Sequence, residues 1–239
     1  KHNCVITMTH AGYIKRQPAS VYTAQGRGGK GVIGMATKEE DYIEKVLSVH
    51  SHSTCLLFTN TGRVQAMRAF QIPEAGRTAK GSNLVNLMQL EPEEKVTSMI
   101  AVNGFSDDRY LTMVTRNGVI KRTLLSDYAY QRKGGKIALA LDEGDELVFV
   151  TGTGKEPVDL IIATHNGCAV RFTVDDESVR PMGRTARGVR GISLRDDDYV
   201  VGVTQVTEGK MLITITENGM GKRTDFDDFR QMRHRGGFG

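Results

Sequence analysis

The sequence predicts an all-β repeat fold, a series of propeller-like blades of about four strands each. Three observations carry that expectation. A pattern of apolar strand, Thr, two residues and Gly occurs five times, with turn glycines at Gly12, Gly62, Gly118, Gly167 and Gly219, spaced 50, 56, 49 and 52 residues apart. That period suits propeller blades and is longer than most helical repeats. Glycine is frequent at 27, proline scarce at 5 and tryptophan absent, a composition of tight turns rather than of a helical bundle. Helical periodicity is nearly absent, and the one helix-like stretch, 38–47, is expected to form no more than a single turn.

Each repeat opens on a hairpin, as in Ile6-Thr7-Met8-Thr9-His10-Ala11-Gly12 or Leu111-Thr112-Met113-Val114-Thr115-Arg116-Asn117-Gly118. Three of the five end in Asn-Gly, which predicts type I′ turns, because both central residues of that turn need φ > 0. A returning strand follows and carries cations: Lys15 and Arg16, Arg63 and Arg68, Lys121 and Arg122, Arg171, then Lys222 and Arg223. A polar loop comes next, and then a glycine-rich basic box. The fullest box is Gln25-Gly26-Arg27-Gly28-Gly29-Lys30-Gly31. Partial copies are Gly76-Arg77-Thr78-Ala79-Lys80-Gly81, Gln131-Arg132-Lys133-Gly134-Gly135-Lys136, Gly183-Arg184-Thr185-Ala186-Arg187-Gly188 and, with Arg233 nearby, Arg235-Gly236-Gly237. Beyond each of the first four boxes lie an apolar segment, an acidic turn such as Asp142-Glu143-Gly144-Asp145-Glu146, and a further strand.

Net charge is only +4, yet the five windows running from hairpin to box hold 24 Lys/Arg against 9 Asp/Glu, while the rest of the chain holds 8 against 19. Charge alternating along the chain becomes segregated in space if every repeat folds alike, and a single basic rim is the reading this gives. A run of charge is ordinarily a solvated face. Its return at the same phase of every repeat argues instead for a surface that meets a polyanion. No recognition helix or zinc finger accompanies the boxes and few aromatics flank them, so the expected contact is with the backbone of duplex DNA rather than with base edges or stacked single strands.

Other chemistries find little support. Gly26, Gly28 and Gly31 literally match a dinucleotide fingerprint, but no helix is expected after them, and the Walker pattern fails because Lys30 precedes Gly31. Cys4, Cys55 and Cys168 are odd in number and lack CxxC spacing, which reads as packed, reduced thiols in a cytosolic protein. His50-Ser51-His52 beside Cys55 has no second ligand-rich segment and reads as a strand edge. No catalytic constellation, metal site or cofactor site is expected. No apolar run is long enough to span a membrane and no signal peptide is visible. The start at Lys1 and the stop at Gly239 inside the fifth box suggest one domain, 1–239, excised from a longer protein, with a sixth blade possible beyond its C-terminal end.

Gln25-Gly26-Arg27-Gly28-Gly29-Lys30-Gly31 resembles the "gyrase A box", Q-R-R-G-G-K-G, of the C-terminal domain family of DNA gyrase A, and the likeness extends to Gly188-Val189-Arg190-Gly191-Ile192 and Asn218-Gly219-Met220-Gly221-Lys222-Arg223-Thr224. The resemblance implies a β-pinwheel, a propeller-like disc whose blades exchange strands, with duplex DNA wrapped on its basic edge. It implies a bacterial, cytoplasmic role in negative supercoiling by an A2B2 enzyme. The cleavage tyrosine and the sites for ATP and Mg lie elsewhere in that enzyme, so this chain is not an enzyme alone. Gly26 departs from the family, which usually has a cation there, and five hairpins stand against the usual six blades. The related topoisomerase IV protein is the alternative within the family, and a protein-interaction scaffold is the alternative from another class.

Overall fold

The computed structural model describes residues 3–26, 41–130, 134–206, 211–215, 221–225 and 235–238, with backbone only for 23–26, 211–215 and 221–225. Regular structure among them is almost entirely strand. The first repeat supplies β1 (Asn3–Thr9), β2 (Tyr13–Pro18), α1 (Ala19–Gly26) and β3 (Ile43–His50). The second supplies β4 (Thr54–Thr59), β5 (Arg63–Arg68), β6 (Ser82–Asn83) and β7 (Val96–Val102). From the third come β8 (Tyr110–Thr115), β9 (Val119–Leu124), β10 (Lys136–Ile137) and β11 (Leu147–Thr153). The fourth gives β12 (Val158–Thr164), β13 (Ala169–Val174), β14 (Val189–Arg190) and β15 (Val200–Gln205), and the fifth shows β16 (Met211–Ile215) and β17 (Gly221–Asp225).

The sheet orders are β3-β1-β2-β6, β10-β5-β4-β7, β11-β8-β9-β14, β13-β12-β15 and β16-β17. The first three share one plan. A hairpin lies in the middle, the last strand of the same repeat flanks one side, and a two-residue strand from the following repeat's box region flanks the other. This is the all-β, strand-exchanging blade that the sequence predicts. The described residues gather into two compact units. One comprises Lys1–Thr59, Val64–Gly104 and Gln131–Lys136, the other Asn60–Arg63, Phe105–Tyr130 and Ile137–Gly239. Ile6, Ile14, Cys55, Leu57 and Ile72, all 0% exposed, centre the core of the first unit. Ile120, Leu160, Ile162 and Phe172, likewise 0% exposed, centre a core of the second.

Two local expectations are corrected. The helical turn expected at 38–47 falls, in its described part, on β3, which pairs with β1 from Asn3↔His50 to Thr9↔Ile43. The long-range ladder overrides a local pattern that reads as helix. The α-helix lies instead at Ala19–Gly26, where a polar loop is expected; it follows Pro18, contains helix-favouring alanines and stops at a glycine.

The turns are not type I′ either. Among the described residues only Glu93 and Asp197 combine a side chain with positive φ, while Gly12, Gly62, Gly118 and Gly167 have φ of 90°, 83°, 91° and 88°. In three of these turns the glycine N–H donates to the carbonyl of the Thr three residues earlier, at 3.0 Å in Gly12, 3.0 Å in Gly118 and 3.1 Å in Gly167. A three-residue loop with one left-handed glycine is a type I turn closed by a bulge, which asks positive φ of the glycine alone. The Thr serves this turn twice, because Thr9, Thr115 and Thr164 also accept at Oγ1 from the N–H four residues on, at 3.2, 3.1 and 3.1 Å.

Candidate nucleic-acid interface

The boxes form loops with a recurring geometry. Gly76-Arg77-Thr78-Ala79 and Gly183-Arg184-Thr185-Ala186 are tight turns, with Ala79 N–H on the Gly76 carbonyl at 3.2 Å and Ala186 N–H on the Gly183 carbonyl at 3.1 Å. Each loop closes on a left-handed glycine, Gly81 at φ 90° and Gly188 at φ 99°, and Gly135 at φ 84° holds the same place in the third box. The reason for glycine is steric. A Cβ would come within 2.3 Å of the Ile14 carbonyl oxygen at Gly81, 2.4 Å of the Val64 oxygen at Gly135 and 2.5 Å of the Ile120 oxygen at Gly188. Those carbonyls all belong to the second residue after a turn glycine, so each box is pressed on a hairpin at one fixed point.

On the loop at 76–81, Arg77 and Lys80 are exposed, and the Lys80 ammonium sits 5.1 Å from the centre of the Tyr13 ring. The loop at 183–188 holds its cations more tightly. Arg184 Nη1 donates to the Ile137 carbonyl at 2.8 Å, and exposed Arg187 meets Asp142 Oδ1 at 2.7 Å. Arg235 donates to the Ser178 and Arg190 carbonyls at 2.7 and 2.8 Å.

The cations of the returning strands behave differently from the expectation that they meet a partner. Lys15 is 3% exposed, Lys121 0% and Arg122 2%, so these three cannot present charge to DNA as they stand. Lys15 Nζ donates to the carbonyls of Gly76, Arg77 and Ala79 at 3.1, 3.1 and 3.0 Å. Lys121 Nζ donates to Ala138 O at 2.8 Å and to Arg184 O. Arg122 binds Asp176 at 2.6 Å and stacks 3.9 Å from the Tyr110 ring centre. The two lysines hold box loops from beneath. Burial lowers the pKa of Lys15, and burial, with the Arg184 charge adding to it, brings Lys121 down to about 8.

That depression has a measurable consequence. Between about pH 8 and the ordinary lysine value of 10.5 the folded chain has released a proton from Lys121 that the unfolded chain still binds, so stability rises with pH in that window. The unfolding free energy of wild type relative to Lys121→Met should therefore increase from pH 8 toward 10, by no more than about 1.4 kcal/mol per pH unit. Urea titrations at three pH values would measure it, and a flat difference would show that the ammonium carries no burial penalty.

Of the remaining strand cations, Arg16 is half-buried and donates from Nε to the Ile72 carbonyl at 3.0 Å, and Arg171 pairs with Asp159 at 3.0 Å. Arg63 is half-buried, whereas Arg68 is exposed and donates to the His52 carbonyl at 2.9 Å. Lys136 is half-buried in β10. Gln25 lies in α1. Arg27, Gly28, Gly29, Lys30, Gly31, Arg132, Lys133 and Arg233, and the side chains of Lys222 and Arg223, lie outside the described residues. Exposed Arg180 and Arg190 flank the fourth box and escape a reading confined to strands and box cores.

The acidic turns, to which the sequence assigns no role, clamp the hairpins. Asp41 accepts from Ala11 N–H at 2.8 Å, Asp145 from Asn117 N–H at 2.9 Å and Asp198 from Asn166 N–H at 3.0 Å. In the second repeat Glu94 takes the Thr59 hydroxyl at 2.6 Å. Burial acts to raise the pKa of Asp198, but its hydrogen bonds to Thr164, Asn166 and Tyr199 and the charge of His165 lower it overall. All three thiols are free, and burial pushes that of Cys55 up to about 12, which makes it inert at neutral pH. Among the described residues no group of three or more His, Cys, Asp or Glu could hold a metal ion, and no helix is long and apolar enough to cross a membrane.

A family model described as DNA gyrase C-terminal domain, beta-propeller, matches residues 5–50, 53–103, 109–151, 159–207 and 210–239, one match per hairpin repeat. The DNA gyrase A protein of Clostridium acetobutylicum is 47% identical over 239 residues, covering 100% of this chain and 28% of that protein. Its Staphylococcus aureus counterpart is 43% identical over 238 residues, covering 98% of the chain and 26% of its own length. The chain thus spans little more than a quarter of these relatives. Among solved structures, a DNA gyrase A C-terminal domain superposes with TM-score 0.78 at 29% identity, over 99% of this chain and 76% of that one. The C-terminal domain of a DNA topoisomerase IV superposes with TM-score 0.77 at 28% identity, over 99% and 71%.

Proposed function

The chain belongs to the DNA gyrase C-terminal domain family, and on that premise we propose that it binds duplex DNA without regard to sequence and bends it along its basic box loops. The observation that carries this reading is the loop at 76–81, where exposed Arg77 and Lys80 stand on a glycine-bounded turn that recurs as Gly183-Arg184-Thr185-Ala186-Arg187-Gly188. Cations spaced one repeat apart contact phosphates singly and read no base. Bending a 20–30 bp site by 40–90° costs on the order of 1–6 kcal/mol, so contacts must be spread over several blades.

In the whole protein this bending serves supercoiling. The wrap passes a neighbouring DNA segment to a strand-passage gate built by the rest of gyrase A with gyrase B, in an A2B2 assembly that uses ATP and Mg bound outside this chain, in the bacterial cytoplasm. The identities of 43–47% to gyrase A proteins favour gyrase over topoisomerase IV as the parent enzyme. The chain itself contributes geometry and no catalytic group.

Salt dependence tests the reading. With six to eight phosphates neutralised, log K against log salt should fall with a slope of about −5 to −7. A slope flatter than about −2 would remove the idea of spread phosphate contacts.

A further inference from the structure

The loop at 76–81 turns its carbonyls toward one buried point. Lys15, 3% exposed, takes the carbonyls of Gly76, Arg77 and Ala79 at 3.1, 3.1 and 3.0 Å. Across a trans peptide the C=O and the next N–H point in opposite directions, and no cis peptide occurs among the described residues. The amides of Arg77, Thr78 and Lys80 are therefore turned away from the ammonium. All three residues are exposed, and among the described residues none of these amides has a hydrogen-bond partner. Three outward N–H groups flanked by an arginine and a lysine form a concave anion donor set.

The arrangement repeats in the other unit, at 183–188. Lys121, 0% exposed, takes the carbonyl of Arg184, the residue matching Arg77, and Ala140 N–H takes that of Ala186 at 3.1 Å. The amides of Thr185 and Arg187 are turned outward by the same argument. Gln65 and Val170 stand where Lys15 and Lys121 do, three residues after the turn glycine, so the device belongs to the first and third hairpins among the described side chains.

We propose that the loop at 76–81, and its copy at 183–188, is a seat for one phosphodiester group bound through backbone amides, and that Lys15 and Lys121 are positioning residues that hold the seats open from beneath. The inference rests on duplex DNA being the partner. It assigns the lysine charge to the carbonyl side of the loop and the phosphate to the amide side, so the buried cation polarises the peptide groups without touching the ligand. The lowered pKa of both lysines is the counterpart of their burial.

Amide spectra of the 15N-labelled 239-residue chain, titrated with a duplex of about two helical turns and separately with inorganic phosphate, test this. With the duplex, the Arg77, Thr78 and Lys80 amides should move downfield together with those of Thr185 and Arg187. In Lys15→Met the first set should lose its response while the second keeps it, and Lys121→Met should do the reverse. Duplex affinity should fall about tenfold in either variant, the size of one hydrogen bond to a charged group. The slope against salt should stay as in wild type, because no phosphate-neutralising cation is removed. A wild-type chain that binds duplex with these amides unmoved overturns the seat and leaves the DNA reading intact. Failure to bind duplex sinks the DNA reading, and the phosphate titration then decides the seat alone: downfield shifts at the same amides support it and their absence overturns it. Should Lys15→Met not fold, the wild-type shifts and Lys121→Met carry the comparison.

Discussion

Replacing Gly81 with alanine is expected to lower the thermal midpoint by about 10 °C, while the same change at Gly76 leaves it in place. Two costs add at Gly81. Its φ of 90° is a region that a Cβ disfavours by about 1–2 kcal/mol. The new methyl would also stand 2.3 Å from the Ile14 oxygen, 2.8 Å from its carbon and 2.8 Å from Lys15 Cβ. The first two are backbone atoms fixed in β2, where Ile14 pairs with Ser82 of β6, so relief means giving up the exchanged strand. Together the cost is about 4 kcal/mol, in the range kept for a named steric failure. A Cβ at Gly76 meets nothing within 4 Å and should act within about 0.5 kcal/mol. Thermal and urea unfolding of the pair would measure the contrast. A Gly81→Ala chain that melts with wild type would show that the box does not press on the hairpin.

The repeat was legible because its parts are local. Thr, two residues and Gly mark each hairpin, and a closing glycine marks the box copies at Gly81 and Gly188. What stayed hidden depends on partners far along the chain. The stretch at 43–47 reads as helix until β1 is beside it. Asp41, Asp145 and Asp198 look like solvated acids because the amides they clamp lie 28–32 residues away. Asn117 and Asn166 suggest type I′ turns, yet the Thr three residues before the glycine sets a longer loop in which only the glycine turns left-handed. The buried lysines are the largest departure. Strand alternation could not expose them, since Ile14 and Lys15 are both buried, as are Ile120, Lys121 and Arg122. A usable signal was present nonetheless: the position three after the turn glycine is Lys15, Gln65, Lys121 and Val170 in successive repeats, and a site that accepts valine is a core site.

The same distinction predicts that basic residues of this chain separate into two groups under mutation. Arg77→Ala and Lys80→Ala should each weaken duplex binding and flatten the salt slope by about 0.9, with the thermal midpoint unchanged within about 1 °C. Both side chains are exposed, so removing them leaves no cavity and no orphaned partner. Arg122→Ala should do the opposite. Its guanidinium is 2% exposed, lies 3.9 Å from the Tyr110 ring centre and bonds Asp176 at 2.6 Å. Truncation opens a void over the ring and strips the arginine stem from the core. Asp176 is 79% exposed and returns to water at little cost, so the loss is set by packing, at about 3 kcal/mol, or roughly 6–12 °C in the midpoint. Below that midpoint the salt slope of Arg122→Ala should match wild type. The sequence treats Arg77 and Arg122 alike, as cations of neighbouring basic segments. Binding isotherms at three salt concentrations, set beside melting curves for the three variants, would expose the division. An Arg122→Ala chain with wild-type stability and a flattened slope would mean that this arginine leaves the core to meet DNA.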